Sequence, residues 1–266
     1  MKAMVFAAGL GTRLKPLTDT FPKALVPVCG QPLLYHVLTK LVAAGYDDVV
    51  VNVHHFPDRI IDYLAAHDWG ARIRVSDERG FLRETGGGIR YAEPLLRGED
   101  QPFLVHNVDI VSNLDFRWLR EQWRPGALAA LVVSERQTQR YFLFDDDGRL
   151  AGWTDLRTGE VRSPYGAIDP DRYRKLAFAG IHLISPDLFG AFGALGFGER
   201  FSITDFYLKA CAEYPVYAAV PPGFQMVDVG KIETLSDVER TIQQADLLHP
   251  HCPDPAPAES GGTGTA

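Results

Sequence analysis

A short apolar run at positions 4–8 (MVFAA) empties directly into Gly9-Leu10-Gly11-Thr12-Arg13, and Lys23 follows ten residues after Arg13. A strand that ends in a glycine loop carrying a fixed Arg and a nearby Lys is a place to hold a polyphosphate. Gly9 and Gly11 allow the backbone to approach phosphate oxygens and to turn its N–H groups toward them. Arg13 and Lys23 supply the positive charge that such a loop lacks. Two well-known phosphate loops do not fit. A dinucleotide loop requires a third glycine at position 14, which is Leu, and a Walker loop requires Gly-Lys-Ser/Thr, which is absent.

Two carboxylates stand at comparable places. Asp109 closes His106-Asn107-Val108-Asp109 after an apolar run, and Asp228 closes Gln225-Met226-Val227-Asp228 before Val229-Gly230. Carboxylates from distant segments can share one Mg²⁺ that keeps its other positions for phosphate oxygens and water. On spacing alone both read as ordinary turn aspartates at strand ends. Thr85-Gly86-Gly87-Gly88 reads as a glycine loop before a helix, against which a flat base could lie. His54-His55 follows a strand, but no third metal ligand is placed by the pattern, so a structural pair is expected.

The elements that must position these residues alternate in the first half. Strands are expected at 4–8, 48–53, 72–76 and 102–105, with helices at 33–44, 57–67 and 86–96. This βαβαβ rhythm predicts a mostly parallel sheet covered on both faces. The second half predicts strands at 127–135, 141–145, 150–153, 177–184, 216–220 and 225–230. Helices are expected at 186–192, 203–212 and 234–247. The fold class is therefore α/β, a Rossmann-like three-layer α/β/α arrangement with a mixed central sheet. One domain is expected over 1–248, followed by a disordered tail over 249–266 rich in Pro, Gly, Ser and Thr.

Bulk properties narrow the function. The 266 residues are 46% hydrophobic, enough for a sizeable core, and the net charge of −7 argues against a nucleic-acid surface. On an acidic chain, Arg13 and Lys23 point to a specific anionic client. The three cysteines have no metal spacing, which fits a reduced, cytoplasmic compartment. No apolar run reaches the ~20 residues of a membrane span.

The run Gly9-Leu10-Gly11-Thr12-Arg13, Pro16-Leu17-Thr18 and Pro22-Lys23-Ala24-Leu25-Val26-Pro27-Val28 resembles the signature of the sugar-nucleotide pyrophosphorylase (nucleotidyltransferase) family. Pro32-Leu33-Leu34, Thr85-Gly86-Gly87-Gly88, Asn107-Val108-Asp109 and Val227-Asp228-Val229-Gly230 occur in the family's order. The short length and Glu84-Thr85-Gly86-Gly87-Gly88 most resemble the branch that uridylylates N-acetylmuramate 1-phosphate.

The resemblance implies Mg²⁺-dependent attack of a sugar-1-phosphate oxygen on the α-phosphorus of a nucleoside triphosphate, with loss of pyrophosphate. It implies nucleotide contacts at Ala8, Gly9, Gly11, Thr12, Arg13, Lys23, Thr85, Gly86 and Gly87. Arg13 and Lys23 would be the catalytic cations, and Asp109 and Asp228 the metal ligands. Asn107 and Gly180 would lie beside the sugar or ribose, each equally readable as a packing residue.

Partners would be a nucleoside triphosphate and a sugar 1-phosphate, with no nucleic acid and no membrane, in a monomer or small homo-oligomer. Three departures bear on the acceptor rather than the reaction. These are Val108 in place of Gly, Lys231 after Val-Asp-Val-Gly, and a longer segment over 153–176 on the sugar side of the cleft. Alternatives are a cytidylyl-, guanylyl- or thymidylyltransferase using phosphocholine or another hexose 1-phosphate, a non-catalytic regulatory homologue, and, third, a dinucleotide-binding oxidoreductase.

Overall fold

Alternate residues of the first strand belong to different cores. Ala3, Val5 and Ala7 pack into one apolar cluster, Met4 and Phe6 into another. Side chains alternate faces along a strand, so a strand buried on both faces must have helices on both. The computed structural model describes residues 1–98, 100–230 and 235–248, with the side chain of Arg13 left outside the description. The expected tail at 249–266 and the departure at Lys231 lie outside the described residues.

The chain runs β1 (Lys2–Phe6), the short pair β2 (Pro27–Val28) and β3 (Gln31–Pro32), α1 (Leu33–Ala43), β4 (Asp48–Val53), α2 (Pro57–Ala65) and β5 (Arg72–Asp77). It continues through α3 (Glu84–Tyr91), α4 (Glu93–Leu96), β6 (Phe103–Asn107), β7 (Ile110–Ser112) and α5 (Phe116–Glu121). The second half holds β8 (Ala129–Ser134), β9 (Arg140–Phe144), β10 (Leu150–Asp155), β11 (Glu160–Arg162) and β12 (Arg174–Ile184). After these come α6 (Leu188–Ala194), α7 (Ile203–Ala210), β13 (Val216–Ala219), β14 (Met226–Asp228) and α8 (Leu235–Gln244).

The main sheet is ordered β11-β10-β9-β12-β6-β1-β4-β5, with β8 joining β12 to β13. The pairs β1–β4, β1–β6 and β4–β5 are parallel, whereas β12 runs antiparallel to β6. The sheet is thus mixed and the architecture three-layered, as expected. One face is covered by α1, α2, α5 and α8 through residues such as Leu38, Ile60, Leu119 and Ile242. The other is covered by α3, α4, α6 and α7 through Ile89, Leu96, Phe192 and Phe206. α1 stops where the sequence says it should: Gly45 takes φ +88 and its N–H donates to the Val42 carbonyl at 2.9 Å.

Several expectations are corrected. The expected single helix at 86–96 is two. α3 ends at Tyr91, and α4 restarts with Pro94 at its amino end, where its missing N–H is tolerated. α3 also begins two residues early, so Thr85-Gly86-Gly87-Gly88 is helix rather than loop. The sequence did not reveal β7, α5 or β11, each six residues or fewer, too short for a period to register. Only α5 left a trace, the cap Asp115, which accepts from the Arg117 N–H at 2.8 Å. β11 falls within the 153–176 segment and extends a β10–β11 hairpin from the sheet edge. Cys211 is buried and free.

Candidate active site

The carboxyl ends of β1 and β6 border a cleft of about 420 Å³, the edge where open α/β sheets bind ligands. Ala8, Gly9, Gly11, Lys23, Thr85, Asn107 and Asp109 all line it. Sequence positions from four separate segments therefore meet in one place.

The glycine loop is shaped by specific contacts. Gly11 has φ +64, and a Cβ there would lie 2.7 Å from the Thr18 methyl and 3.1 Å from Lys23 Cβ. No side chain is tolerated at that crossing. The Gly11 carbonyl accepts from the buried Thr18 hydroxyl at 2.7 Å and from the Leu14 N–H at 2.8 Å. Thr12 opens a 3-10 turn over Thr12–Leu14. Ala8 lines the cleft, but its N–H is already committed to Asn52 Oδ1 at 3.3 Å, as is that of Ala7 at 2.8 Å. Ala8 is thus a wall of the cleft and not a phosphate donor. Arg13 sits in the 3-10 turn, its side chain outside the described residues.

Lys23, Asp109 and Asp228 converge on Gly230. A Cβ built on Gly230 would lie 2.6 Å from Lys23 Nζ, 3.3 Å from Asp228 Oδ1 and 3.4 Å from Asp109 Oδ2. The Lys23 ammonium donates to the Asp109 carboxylate. β14 pairs antiparallel with β7, placing Asp228 opposite Ile110, next in sequence to Asp109. The Val229 N–H donates to the Asp109 carbonyl at 2.9 Å, fixing the second aspartate's segment to the first. This donor set is hard oxygen. Two carboxylates that approach one another at Gly230, with Asp109 lining the cleft, match what Mg²⁺ takes from a protein, since substrate oxygens and water supply the rest. Among the described residues no cluster of three or more His, Cys, Asp or Glu could hold a metal by itself.

Thr85, Gly86, Gly87 and Gly88 have roles in packing. A Cβ on Gly86 would lie 2.3 Å from the Phe201 ring, and one on Gly87 2.2 Å from the Glu199 carbonyl oxygen. The Gly86 and Gly87 N–H groups donate to the Phe201 carbonyl at 2.9 and 3.2 Å. The Thr85 hydroxyl accepts from the Ile203 N–H at 2.9 Å. Thr85, Gly86 and Gly87 seat α3 against the start of α7, while Gly88 packs against Glu78 and Asn52. Thr85 also lines the cleft, while Gly86 and Gly87 do not. Asn107 ends β6 in the cleft. Gly180, at φ +74, is buried beside it: a Cβ there would lie 2.6 Å from the Asn107 amide nitrogen. Gly180 thus makes room for Asn107.

Sequence reasoning missed Glu78 and Asn52, both buried in the cleft wall. Asn52 Oδ1 is held by Ala7 and Ala8, so its Nδ2 must donate to Glu78 Oε1, at 2.8 Å. Glu78 Oε2 is buried without a hydrogen-bond partner. Burial raises the Glu78 pKa, only partly offset by the Asn52 bond and the pull of the Arg83 backbone N–H and side chain. The available signal was an acidic residue just past a parallel strand, as at Asp109. His54 and His55 are structural, meeting the Glu78 carbonyl at 2.8 Å and the Thr18 carbonyl at 3.1 Å.

The Nucleotidyl transferase family profile matches residues 2–151. N-acetylmuramate alpha-1-phosphate uridylyltransferase of Caulobacter vibrioides is 37% identical over 232 residues, covering 84% of this chain and 90% of that protein. Mannose-1-phosphate guanyltransferase of Hypocrea jecorina is 38% identical over 123 residues, covering 46% of this chain and 34% of that protein. In fold, a UDP-glucose pyrophosphorylase complexed with UDP-glucose superposes with a TM-score of 0.71 at 16% identity, covering 91% of this chain and 98% of that one. The cleft, its converging cation and carboxylates, and these likenesses together place the chain in the nucleotidyl transferase family, as a sugar-1-phosphate nucleotidyltransferase.

Proposed function

We propose that the chain transfers a uridylyl group from UTP to the phosphate of a sugar 1-phosphate, with N-acetylmuramate 1-phosphate as the acceptor, releasing pyrophosphate. The observation that carries this reading is the convergence of Lys23, Asp109 and Asp228 on Gly230, beside the glycine loop. The relative from Caulobacter vibrioides supports the base and the acceptor.

Such transfer needs little covalent help; it needs in-line positioning and neutralisation of developing charge. The glycine loop and Arg13 hold the β- and γ-phosphates, which leave as pyrophosphate. Lys23 bridges the phosphates at the reacting centre, and Asp109 and Asp228 would hold Mg²⁺. That ion would neutralise phosphate charge and orient the α-phosphate for attack. Asn107 stands beside the sugar or ribose, with Gly180 behind it. Glu78, whose Oε1 accepts from Asn52 Nδ2, lines the cleft where the base would lie.

The test is a pyrophosphate-release screen crossing UTP, CTP, GTP and dTTP with a panel of sugar 1-phosphates and phosphocholine. UTP with N-acetylmuramate 1-phosphate should give the highest kcat/KM. A higher value for another pair would reassign base or acceptor, and no release with any pair would favour a non-catalytic role.

A further inference from the structure

A separate cleft, of about 490 Å³, runs along α3 and α4 and is bounded by Glu199. Among the described residues none lines both this cleft and the catalytic one. Its cations are Arg83, Arg90 and Arg97, set against Glu93 and Glu199. Surplus guanidinium in one cleft of a chain with net charge −7 marks a site for an anion. Arg97 is paired with Glu93 on the exposed rim, and Arg90 Nη1 donates to the Phe197 and Gly198 carbonyls, which leave its charge uncancelled. Arg83 approaches Glu199 Oε2 at 3.5 Å, but that carboxylate is 80% exposed, and water screens such a pair. The Nε of Arg83 is buried with no hydrogen-bond partner. Its guanidinium lies 4.1 Å from the ring centre of Tyr91 and 5.3 Å from that of Phe81, both exposed rings. Ring contacts of this kind use the face of a guanidinium and leave its N–H edges for an anion.

Arg83 also meets the catalytic cleft from behind. It immediately precedes α3, and its neighbours Leu82, Glu84 and Thr85 line the catalytic cleft. Its backbone N–H bonds to the Glu78 carboxylate, and its carbonyl accepts from the Phe201 N–H at 3.3 Å. Glu84 holds φ +61, a left-handed conformation that costs a residue with a side chain, and its carboxylate accepts from Arg200 Nε at 3.0 Å. Gly87, in the same first turns of α3, lines the outer cleft. The start of α3 is therefore a wall common to both clefts.

We propose that the α3–α4 cleft is a regulatory site for a phosphate group, free or carried by a small phosphate monoester, held by Arg83 and Arg97, and that its occupation tightens nucleotide binding in the catalytic cleft. Guanidinium offers paired N–H donors that match phosphate oxygens. A phosphate in the cleft takes the place of Glu199 at Arg83 and fixes the residue that precedes the strained Glu84. An effector that orders a shared wall lowers the ordering cost left to the second ligand, which gives positive linkage between the two. Neither the acceptor nor the base takes part in this site; its effect on UTP alone rests on the transferase reading.

The test titrates inorganic phosphate and glycerol 3-phosphate into the full chain by calorimetry, then titrates UTP with Mg²⁺ and no acceptor, with and without saturating phosphate. UTP should bind about fivefold more tightly with phosphate present, the lower end of ordinary coupling between sites. Arg83→Gln and Arg97→Gln should each weaken phosphate binding about tenfold, the scale of a charge-assisted contact, and abolish the gain in UTP affinity. Should Arg83→Gln disturb the fold through its ring contacts, Arg97→Gln carries the same test, since Arg97 is 54% exposed. Lys23→Met should still bind phosphate, because its cation stands in the other cleft. Tighter binding of glycerol 3-phosphate than of inorganic phosphate assigns the site to a phosphorylated metabolite, and equal binding assigns it to free phosphate; both support the site. UTP binding that weakens in phosphate is competition in the catalytic cleft and overturns the proposal, as does phosphate binding untouched by both arginine substitutions; the transferase reading stands in either case. Absence of UTP binding with phosphate binding intact and sensitive to the arginines contradicts the transferase reading and leaves the anion site standing.

Discussion

The ammonium of Lys23 is hydrogen-bonded to the carboxylate of Asp109, although 86 residues separate them in sequence. The pair is partly buried, with the side chains 13% and 23% exposed. Screening by water is therefore reduced but not abolished. Lys23 is carried by a 3-10 turn after Pro22, and Asp109 by the turn between β6 and β7. Neither element is in the middle of the core, and both residues line the cleft.

Lys23→Met should lower kcat by about 10²–10³, the scale of removing one preorganised donor to developing charge. The melting temperature should change far less, because Met keeps the apolar stem. Parallel kcat and thermal-melt measurements check this. Loss of both together would make Lys23 structural.

Gly87→Ala should destabilise the free protein by about 1–3 kcal/mol or more, an overpacking cost. Its new Cβ would sit 2.2 Å from the Glu199 carbonyl oxygen, and backbone cannot rotate away as a side chain can. Urea denaturation without nucleotide measures the effect. Unchanged stability with lost UTP binding would return this glycine to a direct nucleotide role.

Glu78→Gln should raise stability by about 1 kcal/mol at neutral pH, the scale of a buried unsatisfied polar group, while weakening UTP binding. The folded pKa of Glu78 is raised by burial, so between its ordinary value of 4.5 and the folded value the native state holds more protons than the unfolded one. Its contribution to stability therefore falls as pH rises through that window. Thermal melts of wild type and variant across acid to neutral pH should diverge as pH rises. Curves that stay parallel would remove Glu78 as a strained carboxylate.

His106 and His182 should make the fold acid-sensitive. Burial lowers both pKa values to about 3 from 6.5, so they are neutral in the native state. Below 6.5 the unfolded chain binds protons that the native chain refuses, and stability falls as pH drops from 6.5 toward 3. Each pH unit in that window costs about 1.4 kcal/mol per histidine. His182 Nδ1 lies 2.7 Å from the Tyr207 hydroxyl, a contact that Asn can keep in part. His182→Asn should flatten the acid limb in urea denaturation repeated down the pH scale. An unchanged slope would mean that His182 is not one of the groups responsible.

The parallel core was legible because β1, β4 and β6 carry short apolar runs and β5 alternates. Residues 48–53 match β4 end to end. Lys23, Asp109 and Asp228 were legible as residue types at strand ends, but their meeting at Gly230 depends on β14 pairing with β7, and β7 has only three residues. Gly86 and Gly87 misled because glycine reads the same whether it frees a loop or admits a neighbouring backbone. Phe201, which decides between these, lies more than a hundred residues away. Glu78 was hidden because a buried carboxylate is recognised by its partners, and Asn52 is its partner only through parallel β4–β5 pairing. The arginine cleft was likewise invisible, since Glu199, which bounds it against Arg83, is far from α3 in sequence.

The most direct test is pyrophosphate release from UTP and N-acetylmuramate 1-phosphate by wild type and Asp109→Asn, titrated with Mg²⁺. The wild type should turn over only with the divalent ion. Asp109→Asn should lose at least a hundredfold in kcat with its melting temperature retained. Metal-independent release, or undiminished turnover by Asp109→Asn, would contradict nucleotidyl transfer at the site where Lys23, Asp109 and Asp228 converge.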